Sequence, residues 1–495
     1  MTQITSRKGN NAHGNSPPTS YLPMPVRARP YRHQQNAFDF VCTLFGLMDG
    51  KCRSTGAALL MEMGCGKTLV AIAVAGILYQ FGLARRVLVV APLSLLGVWE
   101  SEFARFAHFP VTVTVLKGTA AKKEELLRQD GKAKGLRVVV VNYESAWRME
   151  DELLKYDSDL IIADEGHKIK EARTSQAKGL HTLGRKARFR LLLTGTLITN
   201  REIDVFSQYK FVNPQIFGSS FYAFRNRFFD MTGYGLHTPV FKKSRTEEFL
   251  QRLHSVAFRV TKAEALDLPE TTEETRYVEL EPKAAKLYRE LAKESYAELQ
   301  NGEVSAVNIL TRILRLSQVT GGHVGDDEKQ MHRVSTAKME ALADILDAAL
   351  ADGKKIVVMA RFVPEMDDIR ALLEKRGIGY AEVRGGVKDR AEEVRRFQED
   401  EDCRVFIGQI AAAGLGLTLT ASDTMVFYSM DYSMSNFTQA QARIHRIGAK
   451  GTCHYIYLVA KGTIDEKVMA ALQGKVDLAK ALVDDYRRGR DPFNT

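Results

Sequence analysis

The feature that most constrains the fold is a set of short, almost wholly apolar runs that recurs twice along the chain. The first set, RVLVVAP, RVVVVNY, DLIIADE and RLLLTGT, lies between Arg86 and Thr196. The second follows Lys354 and comprises KKIVVMA, YAEVRG, CRVFIGQ, TMVFYS and HYIYLVA. Segments whose apolar residues recur at helical spacing separate the runs, so each set predicts a parallel sheet covered by helices on both faces. At 495 residues the chain is too long for one core, which agrees with two such units. The predicted fold class is α/β, with two parallel-sheet lobes in tandem and helical insertions.

Composition sets the boundaries. The first 33 residues hold five Lys or Arg, no acid and the turn-rich run GNNAHGNSPPTS, which predicts a disordered basic arm over residues 1–29. A first lobe follows over 30–272, with a helical insertion near its end. EPKAAKLYRELAKESYAELQ and AVNILTRILRLSQ predict a helical linker or insertion over 273–335, before a second lobe over 336–482 and a tail over 483–495. A content of 45% hydrophobic and 26% charged residues excludes a disordered chain. The cysteines Cys42, Cys52, Cys65, Cys403 and Cys453 form no CxxC pair, which argues for a reducing compartment and against a disulfide or thiolate-metal framework. The longest apolar stretch, Val87 to Trp99, is broken by Pro92 and Ser94 and is too short to span a bilayer, and no signal-peptide pattern is present, so a cytoplasmic location is expected. The net charge of +10 leans toward polyanionic partners, to which a basic arm would add nonspecific affinity.

Two motifs carry chemistry in the first lobe. MEMGCGKT matches the phosphate-loop pattern G-x-x-x-x-G-K-[ST], except that Met61 occupies the first glycine position. Gly64 and Gly66 would let backbone N–H groups approach phosphate oxygens, Lys67 would reach the β- and γ-phosphates, and Thr68 would bind Mg²⁺. Met63, Gly64, Cys65, Gly66, Lys67 and Thr68 are therefore candidate ATP contacts; a glycine-rich turn before a core helix is the bland alternative. In DLIIADEGHKIK an apolar run ends in Asp164 and Glu165, as a strand would at the carboxyl edge of a parallel sheet, where such sheets bind ligands. Asp164 would hold Mg²⁺, Glu165 would deprotonate the attacking water, and His167 would link the site to the rest. A lone acidic pair can also be a solvated turn, but a phosphate loop upstream favours the functional reading.

A third constellation, QAQARIHRIGAKG in the second lobe, spaces Gln439, Arg443 and Arg446 so that they project from neighbouring turns of one helix face. Such arginines either form a solvated basic face or clamp a phosphate across the cleft.

The ordered motifs YRHQQ, MEMGCGKT, PLSLLGVWESEFARF, VNYESAW, DEGHKIK, LLLTGTLITN, IAAAGLGLTL and QARIHRIG resemble those of superfamily-two helicases, and more narrowly the Swi/Snf-type DNA translocases, over Tyr31 to Leu482. Within that family the chain is similar to the annealing-helicase branch and to compact phage and bacterial relatives. The resemblance implies RecA-like lobes and a DNA-stimulated ATPase, a monomer using ATP and Mg²⁺ that moves on duplex or branched DNA in a bacterial or phage-infected cell, near the nucleoid. Strand separation, or ATP-switched DNA binding without motion, are the alternatives. It also implies that Gln34 contacts adenine, that Thr194 and Thr196 couple hydrolysis to DNA, that Gly416 borders both sites, and that Arg443 and Arg446 are arginine fingers supported by Gln439.

The sequence departs from the family pattern at Gly166, where alanine is common, and at Leu197 and Thr199. Further departures are Ala413 and Thr418, and Tyr432, Ser433 and Met434 in place of Trp, Asn and Pro. Ser94, Asn142 and Thr418 are the candidate DNA contacts, because they border strand ends on the face where a track would cross both lobes. Trp99 and Trp147 follow apolar runs and read as core.

Overall fold

The computed structural model describes residues 22–130, 134–195, 202–232, 238–265, 269–301, 306–325, 330–387, 389–413, 417–446, 449, 451–474, 478 and 482. Thr196, Gly416, the first 21 residues and the tail from residue 483 lie outside the described residues.

The first group of runs forms β1 (Gly56–Met61), β2 (Arg86–Ala91), β3 (Val111–Val115), β4 (Leu136–Asn142), β5 (Leu160–Asp164) and β6 (Phe189–Thr194). A hairpin of β7 (Phe229–Thr232) and β8 (Thr238–Phe241) precedes β9 (Ala257–Val260). The sheet order is β3-β4-β2-β5-β6-β1-β9, and every pairing in it is parallel. The chain must therefore cross over between strands, and helices cover both faces. β1, β5 and most of β2 and β4 are buried along their length, which is why these strands read as continuous apolar runs rather than alternating ones.

The second sheet is also parallel, in the order β10-β17-β16-β13-β15-β14. Its strands are β10 (Thr271–Val278), β13 (Ile356–Ala360), β14 (Gly379–Val383), β15 (Cys403–Gln409), β16 (Thr424–Phe427) and β17 (Cys453–Ala460), and a small hairpin of β11 (His323–Gly325) and β12 (Met331–Arg333) lies between β10 and β13 in sequence. Alternation across the pleat divides its core: Val357 and Met359 of β13 enter one apolar cluster, and Ile356, Val358 and Ala360 the other.

Three features differ from the sequence reading. Residues 22–29, assigned to the arm, pack on the first lobe: Met24 and Val26 are buried, and Val26 bridges to Ala107. The segment assigned as a linker is built into the second lobe, since β10 pairs with β17 and helix Ala306–Thr320 buries Ile309, Ile313, Leu316 and Val319 in that core. The insertion in the first lobe has its own aromatic core, in which Phe217 meets Phe224 and Phe228 edge-on at 5.4 and 5.8 Å, and it carries the unforeseen β7–β8 hairpin.

Glu365 gives the second lobe a pH-dependent stability. It is fully buried and caps helix Val363–Lys375, accepting from the N–H groups of Arg361 and Phe362 at 3.2 and 3.1 Å. Burial raises its carboxyl to about 7 against the pull of these donors, the Ser429 hydroxyl and Lys338. The folded state thus holds the proton more tightly than the unfolded chain, and the stabilisation, complete below about pH 4.5, is lost as pH rises through 7. Between pH 5 and 8 the stability of Glu365→Gln should gain on wild type by roughly 2.5 kcal/mol, the part of the shift that falls in this window converted at about 1.4 kcal/mol per unit. Denaturant melts of both proteins across that range check this, and a pH-independent difference would refute it.

Candidate active site

Because all strands of the first sheet run in parallel, the residues that follow β1, β2, β4, β5 and β6 share one edge. β5 and β1 flank β6, so the acidic pair and the phosphate loop stand two strand spacings apart, roughly 10 Å. A cleft of about 560 Å³ opens at this edge, with Gln34, Met63, Gly64, Gly66, Lys67, Thr68, Asp164 and Glu165 on one wall. Thr418, Gln439, Arg443 and Arg446 form the wall contributed by the second lobe.

Met61 is the last residue of β1 and fully buried, so the turn into the loop begins only after it. Gly64 and Gly66 have φ of +89° and +82°, the left-handed region that favours glycine. A Cβ at Gly66 would also lie 2.2 Å from Gln34 Nε2, so this glycine admits the close approach of Gln34. Gln34 is held there, its Oε1 accepting from Tyr31 N–H at 2.9 Å and its Nε2 donating to Cys65 O at 3.3 Å. Cys65 does not line the cleft; its side chain is buried in the core, and its carbonyl also pairs with His33 Nε2 at 2.9 Å. Helix Lys67–Gln80 starts at the loop with no acid in its first turn, leaving its free N–H groups to face an anion. Lys67 Nζ donates to the carbonyls of Met61 and Glu62 at 2.8 and 3.4 Å, a position from which it can turn to a phosphate.

Glu165 has φ +53°, and Asp157 is the one other non-glycine with positive φ among the described residues. Such a backbone costs on the order of 1–3 kcal/mol and persists where packing imposes it. Here it turns the carboxylate to within 3.3 Å of His167 Nδ1. Burial and the adjacent Glu165 raise Asp164 to about 6, while Lys67 and the Trp99 N–H pull the other way. Glu165 is also pushed up by burial, but the nearby His167 ring and the charges of Lys67 and Arg443 outweigh this and hold it below its ordinary value. At neutral pH Glu165 is therefore an ionised proton acceptor. Gly166 has a steric reason, since a Cβ there would come within 2.4 Å of Leu192 Cδ1.

Arg443 and Arg446 are not on a helix face. Helix Met434–Gln441 ends before them, and the Arg443 carbonyl turns aside to accept from Leu419 N–H at 3.0 Å. The guanidinium of Arg443 donates to Leu417 O at 3.1 Å and reaches Met63 Sδ of the first lobe at 3.5 Å; Arg446 donates to Thr418 Oγ1 at 2.8 Å. Burial and the neighbouring Arg446 lower Arg443 to about 9, with Glu165 opposing, so it stays charged at neutral pH. Thr418, nominated as a DNA contact, thus has its hydroxyl engaged with Arg446 inside the cleft.

Ser94 and Asn142 lie on the same strand-end edge but outside the cleft lining, and Thr194 is buried at the end of β6, opposite Leu60. Sequence reasoning passed over Trp99. It is core, as read, yet its indole N–H donates to Asp164 Oδ2 at 3.0 Å, while Tyr143 donates to the Asp164 carbonyl at 2.7 Å. The available signal was that a buried tryptophan needs an acceptor for its N–H.

The donor set fits a nucleotide–Mg²⁺ group. Thr68 and Asp164 offer oxygen ligands, and Mg²⁺ keeps several waters rather than a full protein cage.

The profile of an SNF2-related domain matches residues 33–321, and that of a helicase conserved C-terminal domain matches residues 337–448. An uncharacterized ATP-dependent helicase of Mycoplasma pneumoniae is 29% identical over 443 residues, covering 87% of this chain and 40% of that protein. The DNA repair and recombination protein RAD54-like of Drosophila persimilis is 26% identical, over 94% of this chain and 65% of its own length. The chromodomain-helicase-DNA-binding protein 1-like of Mus musculus is 29% identical, over 87% and 48%. The chain thus spans about 40% to 65% of these relatives. A solved SWI2/SNF2 ATPase core of Sulfolobus solfataricus in complex with double-stranded DNA aligns over 96% of both chains at 25% identity, with a TM-score of 0.45.

Proposed function

Because the chain belongs to the SNF2-related family, we propose that it is a DNA-stimulated ATPase that translocates on duplex or branched DNA, remodelling protein–DNA complexes or rewinding strands. The observation that carries this reading is that one cleft receives Lys67, Asp164 and Glu165 from the first lobe and Arg443 and Arg446 from the second. A site assembled from two lobes can tie phosphoryl transfer to their relative motion.

Bound ATP–Mg²⁺ would supply the γ-phosphoryl group and neutralise charge on its oxygens. Lys67 would leave the Met61 and Glu62 carbonyls for the phosphates, and Thr68 and Asp164 would hold the cation. Glu165 would orient the water and take its proton, with His167 fixing the carboxylate. Arg443 and Arg446 would meet the charge that grows on the transferring group. Ser94 and Asn142 border the lobe edge that DNA would cross, and Thr194, Thr196 and Gly416 fall in the motifs that couple the two sites. Contacts of this kind to the backbone are independent of sequence. Among the described residues no helix is long and apolar enough to cross a membrane. Action as a monomer near the nucleoid is part of the proposal.

Steady-state ATP hydrolysis without nucleic acid, and with duplex, forked or single-stranded DNA at a fixed salt concentration, tests the reading. Duplex or forked DNA should raise the rate at least tenfold. Stimulation by single strands alone would replace the proposal with a strand-separating helicase, and no hydrolysis under any condition would leave an ATP-switched binding protein.

A further inference from the structure

Beyond the fingers and the phosphate loop, one side chain joins the two. β9 pairs with β1 in a register that sets Val260 opposite Met61, which carries the following residues alongside the phosphate loop. Glu62 is bracketed there: its N–H donates to Val260 O at 3.1 Å, and its Oε2 accepts from Lys262 N–H at 3.0 Å. The ammonium of Lys262 then crosses to the second lobe and donates to the carbonyl of His445 at 2.9 Å. His445 lies between Arg443 and Arg446 in sequence, and its ring makes a second tie, Nε2 to Pro269 O at 3.0 Å. Lys262 Cε and Arg446 Cβ approach within 3.6 and 3.5 Å of where a Cβ at Gly64 would stand, so both pack over the loop glycine.

We propose that Lys262 is a positioning residue that sets the arginine-bearing turn of the second lobe against the phosphate loop of the first. The inference rests on the ATPase reading of the cleft. A lysine is costly to desolvate, and burial together with Arg446 and Arg443 lowers this one to about 8, against the pull of Cys65 and Glu62. Its ammonium sits where a carbonyl of the opposite lobe satisfies it, and it does not reach the acidic pair. Lys262 therefore serves hydrolysis through His445 and its two flanking arginines, without touching the reacting atoms.

The test uses the full chain with Lys262→Ala and Lys262→Arg, in a Trp147→Phe background that leaves Trp99 to report nucleotide binding by fluorescence. Lys262→Ala should lower kcat at least tenfold with the nucleotide Kd within twofold of the parent, and should speed amide hydrogen exchange across residues 443–446. Lys262→Arg, which can reach the same carbonyl, should restore most of kcat and of the protection. A kcat within twofold for Lys262→Ala, a parallel loss of nucleotide binding, or an arginine variant as impaired as alanine would each overturn the assignment. If the parent hydrolyses no ATP with any DNA, the ATPase reading fails, and unchanged exchange at 443–446 would separately refute the tie.

Discussion

Glu165→Gln should lower kcat by about 10²–10⁴-fold while nucleotide binding is retained, because it removes a proton acceptor with little change of shape. The amide has the size of the carboxylate and keeps one carbonyl oxygen, so the Asp164 and Lys67 side of the cleft loses no volume. What disappears is the charge. That charge is present at neutral pH in the parent, since His167, Lys67 and Arg443 hold Glu165 down against its burial. The left-handed backbone at Glu165 points the same way, as a strained residue in the buried wall of a cleft is kept there by its surroundings. Steady-state rates with duplex DNA, together with Trp99 fluorescence titrations in the Trp147→Phe background, separate the two effects. Hydrolysis within threefold of the parent would remove Glu165 from the role of base. Unchanged hydrolysis with weakened binding would reassign it to holding the nucleotide.

The fold was legible where burial is two-sided. β2, β4, β5 and β6 lie inside a sheet covered on both faces, so their sequences are runs of Val, Ile and Leu that nothing else explains. β10 escaped because it is an edge strand whose first half is exposed, and TTEETRYV carries no apolar signature. Its identity lies in its pairing with β17, which follows it by more than 170 residues, and such a pairing leaves no local trace. The same distinction divides the site. Gly64, Gly66, Lys67 and the Asp164–Glu165 pair are legible because each sits at a strand or helix terminus whose geometry demands that residue type.

Lys262 and Trp99 were not legible. The partner of Lys262 is a backbone carbonyl 183 residues away, which has no residue identity to be read. Trp99 satisfied a correct rule, burial after an apolar run, that is silent about where its N–H goes. The helix assigned to Arg443 and Arg446 failed for a related reason: spacing of three residues suits a helix, but the Arg443 carbonyl, which a continuing helix would bond within itself, accepts from the distant Leu419 N–H instead.

Arg443→Ala should lower kcat by about 10³-fold, and Arg443→Lys should recover little of it. Arg443 is only 4% exposed, yet it carries a charge that burial and Arg446 both oppose, and its electrostatic compensation in the cleft comes from Glu165. A charge kept at such cost in a cleft lined by Lys67 on the other wall is suited to an anion, and the γ-phosphoryl group is the anion the phosphate loop would bring. One guanidinium nitrogen holds the Leu417 carbonyl and another reaches Met63 Sδ in the opposite lobe, so the planar fork spans the gap that closure must narrow. A lysine carries its donors on one nitrogen and lacks the planar fork whose separate nitrogens reach these two acceptors. Nucleotide affinity should change little, because the proposed phosphate loop lies in the first lobe, whereas a finger would act on charge that appears only in the transition state. Single-turnover hydrolysis with saturating duplex DNA and fluorescence titration of the same variants decide the matter. If alanine at Arg443 keeps more than a tenth of the rate, the finger is Arg446, and the ties from that residue to Thr418 and Leu417 would have to break as the lobes close.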